Sequence, residues 1–207
     1  MRPDFVYLAS ASPRRHRLLK QIGVSFQVLN VEIDESVSPN ESPLAYVTRL
    51  AAAKAGAGLR QSEACAPLAR PVLAADTAVV IDGEILGKPR DGEDGQRMLR
   101  LLSGRTHEVL TAVALAMPDG LTSRLSRSEV TFRAIGAAEA RDYWDTGEPC
   151  DKAGGYAIQG YGAVFVADMR GSYSGVMGLP LYETAEFLRS AGVSLWRPGL
   201  LGGADEH

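Results

Sequence analysis

The chain is poor in the groups that most metal and nucleophile chemistry needs. Its 207 residues include two cysteines and three histidines. Cys65 and Cys150 stand far apart and form no CxxC pair. Two idle thiols in a reducing compartment is the plain reading, with a disulfide or a reactive thiol as the alternatives. His16, His107 and His207 are scattered and HExxH does not occur, which argues against catalysis by a histidine-bound metal. GxxxxGK[ST] and GxGxxG are missing, so the chain is no P-loop enzyme and lacks the dinucleotide fingerprint. Without GxSxG, an α/β-hydrolase triad is disfavoured. No run of about 18 apolar residues exists, so nothing is expected to span a membrane. Residues 1–8 are too short and too polar for a signal peptide, and the cytoplasm is the expected location. A basic excess is also lacking. The net charge is −3 and the pI about 5.7, which speaks against a dedicated nucleic-acid binder.

What is present is ordinary globular material, with 45% hydrophobic and 23% charged residues. The 22 glycines and 11 prolines fall short of low complexity. A chain of this length buries roughly 70% of its unfolded surface, so no disulfide or metal is needed to hold the fold. One domain is expected over residues 1–197. Residues 198–207 lack periodicity and read as a frayed tail.

Hydrophobic spacing supplies the elements. Residues 5–9 read as a short buried strand, and 26–31 as a second. Between them Ser12-Pro13 opens a helix with Leu18, Leu19 and Ile22 as its stripe and Gly23 as its stop. A helix over 43–59 is capped by Ser42 and carries Lys54 on its apolar face. Val72–Ile81 is an apolar strand with Asp76 and Thr77 in its middle. Asp82-Gly83 predicts a two-residue hairpin into a return strand over 84–88. A helix capped by Asp91 and stopped by Gly104 follows. Strands are expected over 106–116, 123–132 and 163–167, helices over 137–146 and after Leu179-Pro180. Hairpins mixed with crossovers imply an α/β fold, a mixed β-sheet flanked by helices.

Several side chains carry chemical promise. The loop Ser10-Ala11-Ser12 leads into a helix whose first turn holds Arg14 and Arg15. Cations oppose the dipole there, so this placement costs stability unless an anion sits at the helix start. A polyphosphate would offset that cost through guanidinium forks, with the hydroxyls of Ser10 and Ser12 as further donors. An exposed basic turn is the plain alternative. Lys54 either snorkels to water or, if buried, requires an anionic partner. Asp76 in a buried strand is expensive without a partner, and reads as a catalytic or metal-linked group or as a satisfied structural carboxylate. Continuing the hairpin register puts Lys88 opposite Thr77 and on the face away from Asp76, unless a bulge at Gly87 intervenes. Glu32, Asp34 and Glu35 form an oxygen-rich loop suited to Mg²⁺ or Mn²⁺, or simply a solvated acidic loop. The block from Asp151 to Gly160 clusters glycines before Gln159, whose amide can complement a base edge; a flexible loop is equally compatible.

Together these pieces resemble the Maf family of nucleoside triphosphate pyrophosphatases. The resemblance covers the chain from about Val6 to Gly192. It rests on Leu8 to Arg15, Arg49-Leu50-Ala51 with Lys54-Ala55, Ala75-Asp76-Thr77, Gly87-Lys88-Pro89, Leu102-Ser103-Gly104, Lys152 to Gly160, and Val176 to Pro180. It implies two lobes around a nucleotide-binding cleft, a fold related to inosine triphosphate pyrophosphatases, and homodimers as a common assembly. By position Asp76 matches the family's catalytic aspartate and proposed general base. Arg14, Thr77 and Gln159 match positions tied to substrate choice, and Ser10, Arg15, Glu35, Lys54 and Lys88 match other cleft positions. Ser-Pro-Arg-Arg, Ala-Asp-Thr and Ile-Gln-Gly resemble the branch acting on dTTP and UTP rather than the methylated-GTP branch.

The expected reaction is hydrolysis of a pyrimidine nucleoside triphosphate to the monophosphate and pyrophosphate. A divalent cation, Mg²⁺ or Mn²⁺, is expected with Glu35 and Asp76 as its protein ligands. Asp76, set among cations, is expected to keep a low pKa. The competing expectation is a nucleotide-binding regulator of cell division without turnover. Neither nucleic acid nor membrane is an expected partner.

Overall fold

The computed structural model describes residues 4–65 and 70–196. In chain order its elements are β1 (Val6–Leu8), α1 (Pro13–Gln21), β2 (Phe26–Val28), α2 (Pro43–Cys65), β3 (Val72–Ile81), β4 (Glu84–Leu86), α3 (Gly92–Leu102), β5 (Thr106–Met117), β6 (Gly120–Phe132), α4 (Ala137–Asp145), β7 (Val166–Arg170), α5 (Tyr173–Met177) and α6 (Leu181–Ser190). Short 3-10 turns fill Glu148–Asp151, Ala153–Gly155 and Tyr161–Phe165. The strands form one mixed sheet in the order β2-β1-β3-β5-β6-β7, with β4 also paired to β3. β1 runs parallel to β2 and to β3, and the remaining pairs are antiparallel.

The central strand explains where a cleft can open. β5 pairs with β3 along one edge from Val72 to Val80. Two strands share the other edge. β1 takes its start at Val72 and Leu73, and β4 takes its end at Val79 to Ile81. Residues 74–78 lie between them, in a gap in the sheet that neither strand covers.

Side chains alternate across β3, so its two faces are covered differently. α2 packs Val47, Ala51 and Ala55 on Val72, Ala74, Ala78 and Val80. The small residues bring helix and sheet close: a Cβ on Gly58 would stand 2.8 Å from Val72. On the other face, α1 and α6 cover Leu73, Ala75, Val113 and Leu115. Beside them α3, α4 and the segment to Phe165 cover Val79, Ile81, Val109 and Phe132. Among the described residues no helix is long and apolar enough to cross a membrane.

Several boundaries differ from those expected. α2 continues past Leu59 to Cys65, because nothing between them breaks a helix and Pro67 is the first residue that does. β2 stops at Val28, and only the Leu29 amide, bonded to the Leu8 carbonyl, prolongs it. β6 starts at Gly120, since its pairing with β5 runs unbroken from the turn. The last strand is Val166–Arg170 and not 163–167; the amides of Tyr161 and Gly162 bond to the Glu148 carboxylate instead of a strand. β4 ends at Leu86, short of Lys88. The helix α5 was not expected; the Ser172 hydroxyl caps it by accepting from the Gly175 amide. Cys150 is a free, exposed thiol. The side chain of Cys65 and the expected tail over 198–207 lie outside the described residues.

Candidate active site

β1 points its C-terminal end at the gap, and the chain then turns through Ser10–Ser12 into α1. Ser12 occupies the N-cap position of α1, yet its hydroxyl makes no capping bond and no acid sits in the first turn. The helix therefore keeps its positive end open toward the gap. Its Arg15 reaches across the opening. Nε donates to the Gly178 carbonyl at 2.7 Å, Nη1 to the Ser10 hydroxyl at 3.1 Å and Nη2 to the Thr77 hydroxyl at 3.3 Å. Three separate segments are thus tied by one guanidinium, which has no carboxylate within ion-pair distance among the described residues. Burial lowers its pKa, partly offset by the nearby charge of Asp76. Gly178 sits at φ +113, a backbone shape that favours glycine and turns its carbonyl toward Arg15. Thr111 completes this side, donating to the Gly175 carbonyl at 2.8 Å beside Thr77.

Asp76 points to the opposite face of β3, toward α2. It is 8% exposed. Lys54, on the facing side of α2, donates to its Oδ1 at 2.7 Å and lies 2.7 Å from Oε1 of Glu35. One ammonium therefore joins two carboxylates, so Lys54 is partnered rather than snorkelling. Its hydrogen bond holds Glu35 below the usual carboxylate range. Asp76 behaves otherwise. Burial pushes its carboxyl up, and the charges of Lys54 and Arg15 only partly counter this. The expected low pKa is thus corrected: the cost of desolvating a buried anion outweighs its cationic neighbours.

Glu35 is held on a loop without regular structure. Tyr46 donates its hydroxyl to the Glu35 carbonyl at 3.0 Å, and Arg49 donates to the Ser36 carbonyl at 2.9 Å. Arg49 also pairs with Glu41 at 2.6 Å and lies over the Tyr46 ring. Hydrogen bonding to Arg49 brings Glu41 down to about 2. The sequence carried a signal for Tyr46 that went unread: residues 46, 50 and 54 fall at fourfold spacing, on the face of α2 that holds Lys54.

Lys88 reaches the cleft by a route the hairpin register did not suggest. Pairing between β3 and β4 stops at Leu86, and the Gly154 amide binds the Gly87 carbonyl at 3.0 Å. The chain leaves the sheet there, without a bulge, and Lys88 lines the cavity. The cavity has a volume of about 650 Å³. Ser10, Ser12, Arg14, Arg15, Glu35, Lys54, Asp76, Thr77 and Lys88 all border it. Gln159 does not; its neighbour Ile158 does, with Tyr156, Val79, Val109 and Met177 forming an apolar wall. Arg14 and Lys88 make no hydrogen bond or ion pair among the described residues. Arg14 does feel Asp151 electrostatically, and its pKa is lowered chiefly by burial.

The donor set can be tested for a divalent cation. Among the described residues no cluster of three or more His, Cys, Asp or Glu is placed to hold one. Glu35 and Asp76 do converge on one point, where the Lys54 ammonium now lies. Two carboxylates completed by substrate phosphates suit Mg²⁺ or Mn²⁺, so the residues fit such an ion as a guest of the nucleotide.

A basic cavity with one buried carboxylate, fed by these motifs in this order, matches a known pattern. A family model described as Maf-like protein matches residues 5–191. The chain belongs to the Maf family. It is 54% identical over 192 residues to a protein of Saccharophagus degradans named dTTP/UTP pyrophosphatase, covering 93% of this chain and 91% of that one. Proteins of the same name from Cupriavidus pinatubonensis and Alkalilimnicola ehrlichii are 53% and 54% identical, each over 91% of this chain and at least 95% of their own. Among solved structures, the Staphylococcus aureus Ham1 protein aligns with 64% of this chain and 72% of its own, at 16% identity and a TM-score of 0.43. That last likeness is too slight to carry weight. The Maf match spans residues 5–191, and residues from several of its segments line the cavity.

Proposed function

We propose that this Maf-family protein hydrolyses dTTP and UTP to the nucleoside monophosphate and pyrophosphate. One observation carries the reading. A buried carboxylate, Asp76, opens on a cavity where the cations Arg14, Arg15, Lys54 and Lys88 outnumber the other two acids, Glu35 and Asp151, and relatives about half identical are named for this reaction. A pure binding site for phosphate has no use for an embedded carboxylate.

The triphosphate lies against the open start of α1, with Arg14, Arg15 and Lys88 as its counter-charges. Fixed donors aimed at developing charge supply most of the rate in such reactions. Asp76 accepts a proton from water as the water oxygen bonds to the α-phosphorus. The bond from that phosphorus to the bridging oxygen breaks, and pyrophosphate leaves. A raised pKa suits this task, because a base titrating nearer neutrality is a stronger acceptor. In the free protein Lys54 keeps the carboxylate ionised and aimed. Mg²⁺ or Mn²⁺, held by Glu35, Asp76 and phosphate oxygens, would neutralise charge on the leaving group. The reading places the protein in the cytoplasm with the nucleotide pool, as a homodimer; light scattering tests the assembly.

Release of pyrophosphate and of orthophosphate is measured from dTTP, UTP, CTP, ATP, GTP and 7-methyl-GTP, with each cation. Pyrophosphate from dTTP and UTP alone is expected. Turnover of methylated GTP instead would discard the substrate assignment and keep the reaction. Tight nucleotide binding with no product would replace the enzyme by a sensor.

A further inference from the structure

Tyr156 and Ile158, two members of the apolar wall of the cavity, belong to a segment with little regular structure, so something must hold it in place. That something is Glu148. Its Oε1 accepts from the Tyr143 hydroxyl at 2.7 Å and from the Gly162 amide at 2.9 Å, and its Oε2 from the Tyr161 amide at 2.9 Å. Tyr143 passes the contact on, accepting from the Ala157 amide at 3.1 Å. Burial alone would raise the Glu148 carboxyl, but the donors from Gly162, Tyr143 and Tyr161 outweigh it and keep it ionised.

The glycines show how tightly the segment is fitted. A Cβ on Gly160 would stand 1.9 Å from the Glu148 carboxylate. One on Gly162 would stand 2.7 Å from the Tyr143 hydroxyl and 3.0 Å from the Ala157 carbonyl. Both glycines are needed for the carboxylate and the phenol to reach the backbone. The clamp encloses residues 157–162 and fixes the position of Ile158 on the cavity wall, with Gln159 directly after it. Glu148 itself begins the turn that carries Asp151 to the same cavity. It therefore joins two wall segments without lining the cavity itself, and its charge reaches Arg14 only from a distance.

We infer that Glu148 is a positioning residue for base selection: its carboxylate sets the wall against which the pyrimidine is read. The inference rests on the proposed pyrimidine triphosphate reading. A weaker clamp loosens the base end and leaves the phosphate end intact, so discrimination is lost before turnover is.

The test compares kcat and KM for UTP and CTP in the wild type, Glu148→Gln, Glu148→Ala and Tyr143→Phe. Gln keeps an oxygen for Tyr143 and Gly162 but faces the Tyr161 amide with its own NH₂. Losing one charge-assisted bond predicts an approximately tenfold fall in the UTP preference in kcat/KM, carried by KM, with kcat within about twofold. Ala is expected to fall further; Tyr143→Phe keeps the Tyr161 and Gly162 amides on Glu148 but strips the Ala157 amide of its acceptor, and is expected to match Gln. An unchanged preference, with both substrates slowed in proportion, would overturn the inference and leave Glu148 a purely structural residue. If the glutamate variants do not fold, Tyr143→Phe decides alone by the same ratio. A wild type with no preference for UTP over CTP would instead sink the substrate reading, which the mutants cannot mimic.

Discussion

Asp76 and Thr77 are neighbours on one strand, yet they serve two halves of the cavity that are built by different means. On the Asp76 side, opposite charges lock onto each other: Lys54 joins Asp76 and Glu35, and Arg49 joins Glu41. On the Thr77 side, each charge meets neutral partners, and the Glu148 carboxylate takes two amides and a phenol. Arg15 donates to a carbonyl and two hydroxyls, and the wall from Tyr156 to Gly162 hangs on amides and phenols. The first half is strong at its centre, where Lys54 and Asp76 are paired out of water, while Glu35 and Arg49 remain partly exposed. The second is adjustable because its backbone bonds are each modest. The proposed roles divide accordingly, with the general base on the first half and base selection on the second.

The largest effect that could break this comparison is on Asp76. Asp76→Asn keeps the shape of the side chain and should leave the melting temperature nearly unchanged while turnover falls by roughly 10²–10⁴-fold. Full activity in that variant would remove Asp76 from the mechanism. Lys54→Met comes next. It leaves the buried Asp76 carboxylate without its ammonium partner, beside a half-exposed Glu35, and should cost about 3 kcal/mol in urea unfolding. It also removes the charge that holds Asp76 down, so the acid limb of kcat/KM should move to higher pH. An acid limb that stays in place would mean that Asp76 is not the titrating group.

A third test reaches the other half. His107 is 2% exposed, bonds through Nε2 to the Tyr156 hydroxyl at 2.8 Å and leaves Nδ1 without a partner. Burial lowers its pKa from 6.5 to about 4. Between those values the unfolded chain takes up a proton that the folded protein refuses. Stability should therefore fall as pH drops through that window, by about 3 kcal/mol in all. His107→Gln should flatten this slope between pH 7 and 4; an unchanged slope would assign the acid sensitivity elsewhere. The smallest effect is expected at Arg49. Arg49→Ala frees the Glu35 loop, so stability should barely change. Turnover should fall by about fivefold through misplacement of Glu35, and parallel losses of both would show that the pair is structural.

Much of this was legible in advance. The helix start at Ser12-Pro13, the Asp91 cap and the Asp82-Gly83 hairpin obey local rules, and the structure follows them. The cavity residues from Ser10 to Lys88 announced themselves by charge in the wrong place, such as cations at a helix start and a carboxylate in an apolar strand. Lys88 was expected in the cavity and lies there, but the hairpin register alone pointed it away, because pairing ends at Leu86 and the Gly87–Gly154 contact takes over. The sign of the Asp76 shift was misjudged because burial depth cannot be read from neighbours in sequence. Glu148 gave no signal at all. Its partners are backbone amides, and those carry no letter in a sequence.

The interrupted edge of β3 also bears on how such a protein can diverge. Residues 74–78 span about 16 Å of extended chain, and strands seal both ends of that interval. Its length is set by hydrogen-bond register, which shifts only in whole residues and turns every side chain over when it does. The loops along its sides obey no such quantum. The loops that line the cavity can therefore change by small steps, whereas a longer or shorter opening along β3 would demand a rearranged sheet.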